Sequence, residues 1–137
     1  MRFISGFAAA SMVALAISAL SASAAPKPQT ITFLSVKTTS TRVSTSKVVV
    51  DHRDYSGKKL IGHDAVTCHI KKTAVTGCDL TVWLATGTIS ASSVGPIEAS
   101  KAVITGGSGA YAGAHGTGSW VDLNKSMTRT QYTLIIR

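Results

Sequence analysis

The sequence predicts an all-β fold of eight short strands, closed into a barrel or stacked as a sandwich. Three observations point there. Beyond residue 30 the chain is dominated by Val, Ile, Thr and Ser, whose branched or short side chains suit a pleated surface. Gly, Pro, Ser and charged residues interrupt these runs at short, even intervals. No segment repeats apolar residues at helical spacing for long enough to form a helix.

In chain order, strands are expected over residues 31–37, 46–53, 60–70, 78–86, 88–94, 99–105, 115–123 and 128–136. Residues 25–30, with Pro26 and Pro28, read as an extended lead-in, and 31–137 as one barrel domain. The Ser/Thr-rich piece 38–45 is either a flexible loop or an extension of both flanking strands. Residues 102–118, Ala-Val-Ile-Thr-Gly-Gly-Ser-Gly-Ala-Tyr-Ala-Gly-Ala-His-Gly-Thr-Gly, read as strand, tight Gly-rich reversal and strand.

Residues 1–24 stand apart. Arg2 precedes an unbroken run of apolar and small residues over 4–20, and Ala22-Ser23-Ala24 offers small residues where a signal peptidase reads. A secretory signal is expected, cleaved before Ala25, with no membrane span left after its removal and a secreted or periplasmic address. The remaining 113 residues suffice for one domain with a modest core. In an exported chain the two cysteines, Cys68 and Cys78, argue for one disulfide rather than a metal or redox pair.

That disulfide sets a register. If Cys68 and Cys78 face each other across antiparallel strands, Val66 pairs with Leu80, Asp64 with Val82 and Gly62 with Leu84, all on one face. Asp64 then sits on an otherwise apolar surface. Burying an ionised carboxylate without partners costs roughly several kcal/mol. Asp64 therefore has donors, is protonated, or lines a wet cavity; a structural role and a pocket role both stay open.

Without Arg2 the chain has 13 basic and 6 acidic residues. Such a surplus can attract anionic polymers or serve solubility. The basic residues are scattered, with Lys58-Lys59 and Lys71-Lys72 as doublets, and the sparse aromatics do not interleave with them, which argues against nucleic acid. Gly107-x-Gly109-x-x-Ala112 lacks the following helix a dinucleotide fingerprint needs. No Lys-Ser or Lys-Thr follows the glycines, so there is no Walker loop, and Ser108 has Ala110 where a nucleophile elbow needs Gly. His52, His63, His69 and His115 lack ligand spacing and read as surface or strand-filling residues, so no metal site is expected. Asn124-Lys-Ser126 has the form of a glycosylation sequon only.

From the second strand onward the chain resembles the allene oxide cyclase barrel and dirigent-like group. Residues 102–116 look like that group's Gly-rich hairpin. Gly62-His-Asp-Ala-Val-Thr-Cys68 is similar to a strand of plant cyclases and small bacterial relatives, Cys78 with Leu84-Ala-Thr-Gly-Thr-Ile89 to a bacterial segment, and Arg129-Thr-Gln-Tyr-Thr-Leu134 to the last strand. The resemblance spans residues 49–137. It implies an eight-stranded antiparallel barrel of the calycin kind, able to hold one small hydrophobic molecule and to steer its cyclisation or coupling without a cofactor. If the protein is an enzyme, it is a cofactor-free isomerase or cyclase.

The resemblance places His52, in Asp51-His52-Arg53-Asp54-Tyr55, where the cyclases carry a water-binding Asn. Cys68 matches a cyclase cavity Cys that Cys78 here ties up. The strand-1 carboxylate of the cyclases has no counterpart, because 31–37 contains no acid. Asp64, His52 and Tyr55 are thus the candidate polar groups of the cavity. Trp83 and Tyr111 are candidate ligand contacts, although ordinary packing is the simpler reading of both. Dirigent relatives are often oligomers, so a homo-oligomer is allowed, but the sequence shows no interface. The competing reading is a non-enzymatic binding module whose basic exterior holds an anionic polymer or partner.

Overall fold

The computed structural model describes residues 27–137, so the expected secretory signal lies outside the described residues. Eight strands close into an antiparallel barrel in chain order: β1 (Gln29–Ser44), β2 (Lys47–Ser56), β3 (Lys59–Lys71), β4 (Ala74–Leu84), β5 (Gly87–Ser93), β6 (Lys101–Gly107), β7 (Gly116–Asp122) and β8 (Arg129–Ile136). β1 pairs with both β2 and β8, which closes the sheet on itself. No helix among the described residues is long and apolar enough to cross a membrane.

The largest departure from the expected boundaries is β1. It starts inside the expected lead-in and runs to Ser44, so 38–45 lengthens the strand rather than forming a loop. Thr and Ser with period two make a good exposed strand when β2 supplies a partner, which composition alone does not reveal. β4 starts four residues early, because the turn lies at Lys72-Thr73 and the β3–β4 ladder runs through Gly77. Ala85 and Thr86 form a turn instead of extending β4, and Ile97–Ala99 is a 3₁₀ turn just before β6.

The disulfide joins Cys68 to Cys78, and the register it implied is present: Val66 faces Leu80, Asp64 faces Val82 and Gly62 faces Leu84. The cross-link closes a span of 10 residues, for which chain entropy gives about 2–3 kcal/mol. Replacing both cysteines by Ser should lower the urea unfolding free energy by that amount without changing the fold seen by circular dichroism. No loss would show that the hairpin is already formed in the unfolded chain.

The apolar core fills one half of the barrel, with Phe33, Val82, Ile89, Ile104 and Leu134 almost wholly buried. The Gly-rich stretch closes that end. It is longer than a tight reversal, with a 3₁₀ turn at Gly109–Tyr111 between β6 and β7. The stretch interlocks with the β4–β5 turn: Ala110 N–H donates to Thr86 O at 2.9 Å and Ser108 N–H to Thr88 O at 3.0 Å. A Cβ on Gly87 (φ +152°) would lie 2.1 Å from Ser108 O, and one on Gly109 (φ +60°) 2.5 Å from Thr86 O. Glycine is required there by both conformation and space.

Candidate functional site

The opposite end of the barrel is open. β1 pairs with β8 only as far as Val36 and then continues along β2 alone, leaving a gap beside the β7–β8 loop. A cavity of about 440 Å³ reaches inward from this gap. Val75, at the start of β4, and Ile97, Ser126 and Met127, from the connections of this end, line it there. Its walls are largely apolar, including Val66, Leu80, Leu134 and Trp120. His52 and Tyr132 bring polar atoms to the wall, and Lys37, Asp122 and Thr130 also line the cavity.

Behind His52 lies a buried polar array. His52, Asp54 and Ser35 occupy alternating inward positions of β2 and β1, with Asp64 facing His52 from β3. Ser35, Asp54 and Asp64 are at most 1 % exposed, and His52 is 7 % exposed. His52 Nδ1 lies 2.7 Å from Asp64 Oδ1. Ser35 Oγ lies 2.6 Å from Asp54 Oδ1 and also hydrogen-bonds Asp64 Oδ2.

Counting hydrogens assigns the array. A serine hydroxyl has one hydrogen, yet Ser35 Oγ meets two carboxyl groups, so one carboxyl must bring a proton of its own. Asp64 has a donor at each oxygen, as an ionised group requires. Asp54 Oδ2 is buried with no partner among the described residues, which an ionised carboxylate would tolerate poorly. Burial, followed by the hydrogen bond and charge of Asp64, pushes the Asp54 carboxyl up to about 8, opposed by the hydrogen bond that the Ser35 hydroxyl would donate to the ionised form. Asp54 is therefore the neutral member near pH 7. It donates to Ser35, Ser35 donates to Asp64, and Asp64 accepts Nδ1–H of His52.

This order fixes the His52 tautomer. In the neutral ring the proton then sits on Nδ1 and the lone pair on Nε2, which takes no hydrogen bond among the described residues. The ring borders the cavity, so a base is held at an apolar wall. Tyr132 stacks on Phe33 with ring centroids 5.4 Å apart. Burial, reinforced by the Asp64, Asp122 and Asp54 charges, keeps its hydroxyl protonated far above the usual tyrosine range, leaving it a hydrogen-bond donor.

Of the residues singled out from sequence, Asp64 and His52 meet in this array. Asp64 has donors, which selects one of the three states open to it. The structure does not bring Tyr55 to the site. It follows Asp54 and turns to the outer face opposite Leu34 and Leu60. Trp83 is also outside the cavity, between the inward Val82 and Leu84; it is 38 % exposed and stacks on His63 at 4.9 Å. The cavity tryptophan is Trp120. Tyr111 packs at the closed end, where its hydroxyl accepts a hydrogen bond from Thr86 at 3.3 Å, and it borders a shallow second pocket there. Ser35, Asp54, Trp120 and Tyr132 carried no role in the sequence reading, although period two places Asp54 with His52 and Tyr132 with Leu134.

Similar solved structures share this architecture. A pyocyanin demethylase matches with a TM-score of 0.64 and 20 % identity over 80 % of this chain and 100 % of its own. A pterocarpan synthase dirigent protein matches at 0.56 and 18 %, over 80 % and 89 % of the two chains. A second pterocarpan synthase dirigent protein matches at 0.57 and 16 %, over 80 % and 94 %. The eight-stranded barrel fold is shared with these proteins. No family model and no curated protein matches the sequence. In this barrel the two lysine doublets flank the 13-residue β3 at its opposite ends, so they do not form one basic stripe.

Proposed function

We propose that this barrel binds a small, mostly apolar molecule in the 440 Å³ cavity and acts on it by acid–base chemistry, as an isomerase or cyclase whose own side chains do the work. The observation that carries this reading is His52, held by a buried carboxylate at Nδ1 while its ring borders an apolar cavity. A surface histidine needs no such support. His52 Nε2 would take a proton from the bound molecule and return it elsewhere, with Asp64 stabilising the imidazolium formed in between and Tyr132 donating a hydrogen bond to a ligand oxygen. The walls would restrain the ligand's conformation, so positioning supplies part of the effect. The similarity to a pyocyanin demethylase and to pterocarpan synthase dirigent proteins supports a small organic ligand.

Native mass spectrometry of the full chain, purified after export, tests the binding. The expected result is a retained small molecule, or one captured from a library, whose affinity falls at least about tenfold in Trp120→Ala. A binder found for this cavity should then react in the parent and not in His52→Gln, with affinity within a few-fold. An empty barrel that captures nothing would overturn the reading, and equal turnover in His52→Gln would overturn the role of His52.

A further inference from the structure

We propose that Lys37 is an oxyanion anchor, and that the ligand is a mostly apolar molecule bearing one acidic oxygen, a carboxylate or phenolate. The inference rests on the cavity reading above and names its substrate class. Lys37 stands directly opposite His52 in the β1–β2 register. Side chains so paired have Cβ atoms about 5 Å apart on one face. Both residues line the cavity.

Local structure aims Lys37 there. Phe33, Ser35 and Lys37 are successive inward positions of β1. Immediately beyond, the ladder shifts register between Lys37 and Thr39, leaving Thr38 as the extra residue of a bulge. Asp51 pins the bulge, accepting Thr38 Oγ1 on its backbone oxygen at 3.0 Å and Thr39 Oγ1 on Oδ2 at 2.7 Å. Lys37 N–H donates to Thr128 O at 2.9 Å, the last tie before β1 leaves β8. The side chain thus enters the cavity at the gap through which a ligand would pass.

Its charge is unspent. The ion pairs among the described residues are His52–Asp64 and His69–Asp79, and Lys37 takes part in neither. Asp122 also borders the cavity and accepts the Thr130 hydroxyl on Oδ1 at 2.8 Å, but it forms no ion pair with Lys37. The surroundings add positive potential: Arg42, Lys47, Lys71, Lys72, Lys125 and Arg129 lie in or beside the turns at this end, against Glu98 and Asp122. Such a ring draws an anion toward the mouth. Inside, an acidic oxygen held by Lys37 would lie beside His52 Nε2, with the ligand's body against Trp120 and Tyr132.

Two fluorescent probes separate the charge from the apolar body: anilinonaphthalene sulfonate, and N-phenylnaphthylamine, the same ring system without the sulfonate. Both should bind the full-length exported protein and displace each other. Lys37→Gln should weaken the sulfonate about tenfold and leave the neutral probe within twofold, which also shows that the variant is folded. Lys72→Gln at physiological salt should change neither beyond twofold, because exposed charges are screened there. Neutral-probe binding with an unchanged sulfonate affinity in Lys37→Gln, or with no sulfonate binding at all, would overturn the anchor and leave the cavity reading intact. Failure of both probes would overturn both. A sulfonate affinity that collapses with salt and is equally sensitive to Lys72→Gln would assign the anion to the exterior and overturn the anchor.

Discussion

Asp54→Asn should stabilise the protein at pH 9 by on the order of 4 kcal/mol while changing little at pH 5. Asp54 is fully buried, and its folded-state value is raised from 3.8 to about 8. Between those values the native state holds a proton that the unfolded chain has released. The native state therefore binds more protons than the unfolded one, and stability falls as pH rises from about 4 to about 8. Above that range the folded protein must carry a second buried carboxylate next to Asp64. Asn matches the neutral acid in size and still offers an N–H to Ser35 Oγ, so the array should survive the substitution. Urea unfolding of parent and variant at pH 5 and pH 9 checks this. The idea fails if the parent is as stable at pH 9 as at pH 5, or if the variant shows the same decline.

Asp64→Ala should be the most damaging single change to the array, with a loss of about 3–5 kcal/mol. The carboxylate accepts hydrogen bonds from His52 Nδ1 and the Ser35 hydroxyl; its removal strands His52 Nδ1–H inside the barrel and leaves Ser35 with Asp54 as its one carboxyl partner. Each buried polar group left without a partner costs about 1–3 kcal/mol, and a cavity is added. The same change frees the imidazole. Nitrogen NMR of His52 should show the Nδ1–H tautomer in the parent near neutral pH and a mixture of tautomers in the variant. A stability loss below about 1 kcal/mol, or an unchanged tautomer, would show that Asp64 does not position His52. Even if the variant fails to fold, Asp64→Asn can give the tautomer readout.

Much of the site was legible before the fold was known, because period two is a strict rule. The disulfide register that puts Asp64 with Val82 and Leu84 also puts Trp83 on the other face. Likewise His52 and Asp54 share a face that Tyr55 cannot share. Alternation, followed through, removes Tyr55 and Trp83 from the cavity face, whereas Tyr111 sits in a 3₁₀ turn that no strand period places. Ser35 and Lys37 were hidden for a different reason. A serine and a strand-end lysine look like ordinary surface residues until something is known of the opposite wall.

The strands and their turns in chain order, the register across Cys68–Cys78 and the place of Asp64 beside Val82 and Leu84 follow from the sequence by itself, since alternation and turn residues are local rules. Closure is not local. Ser35 and Asp64 lie on strands separated by β2 and meet only because the wall curves their side chains together above Asp54. β1 outruns β8, which begins at Arg129 opposite Val36, and its outer half is held by β2 alone. Those two tertiary facts decide which residues share a proton and where the cavity opens, and no periodicity in a single strand encodes either.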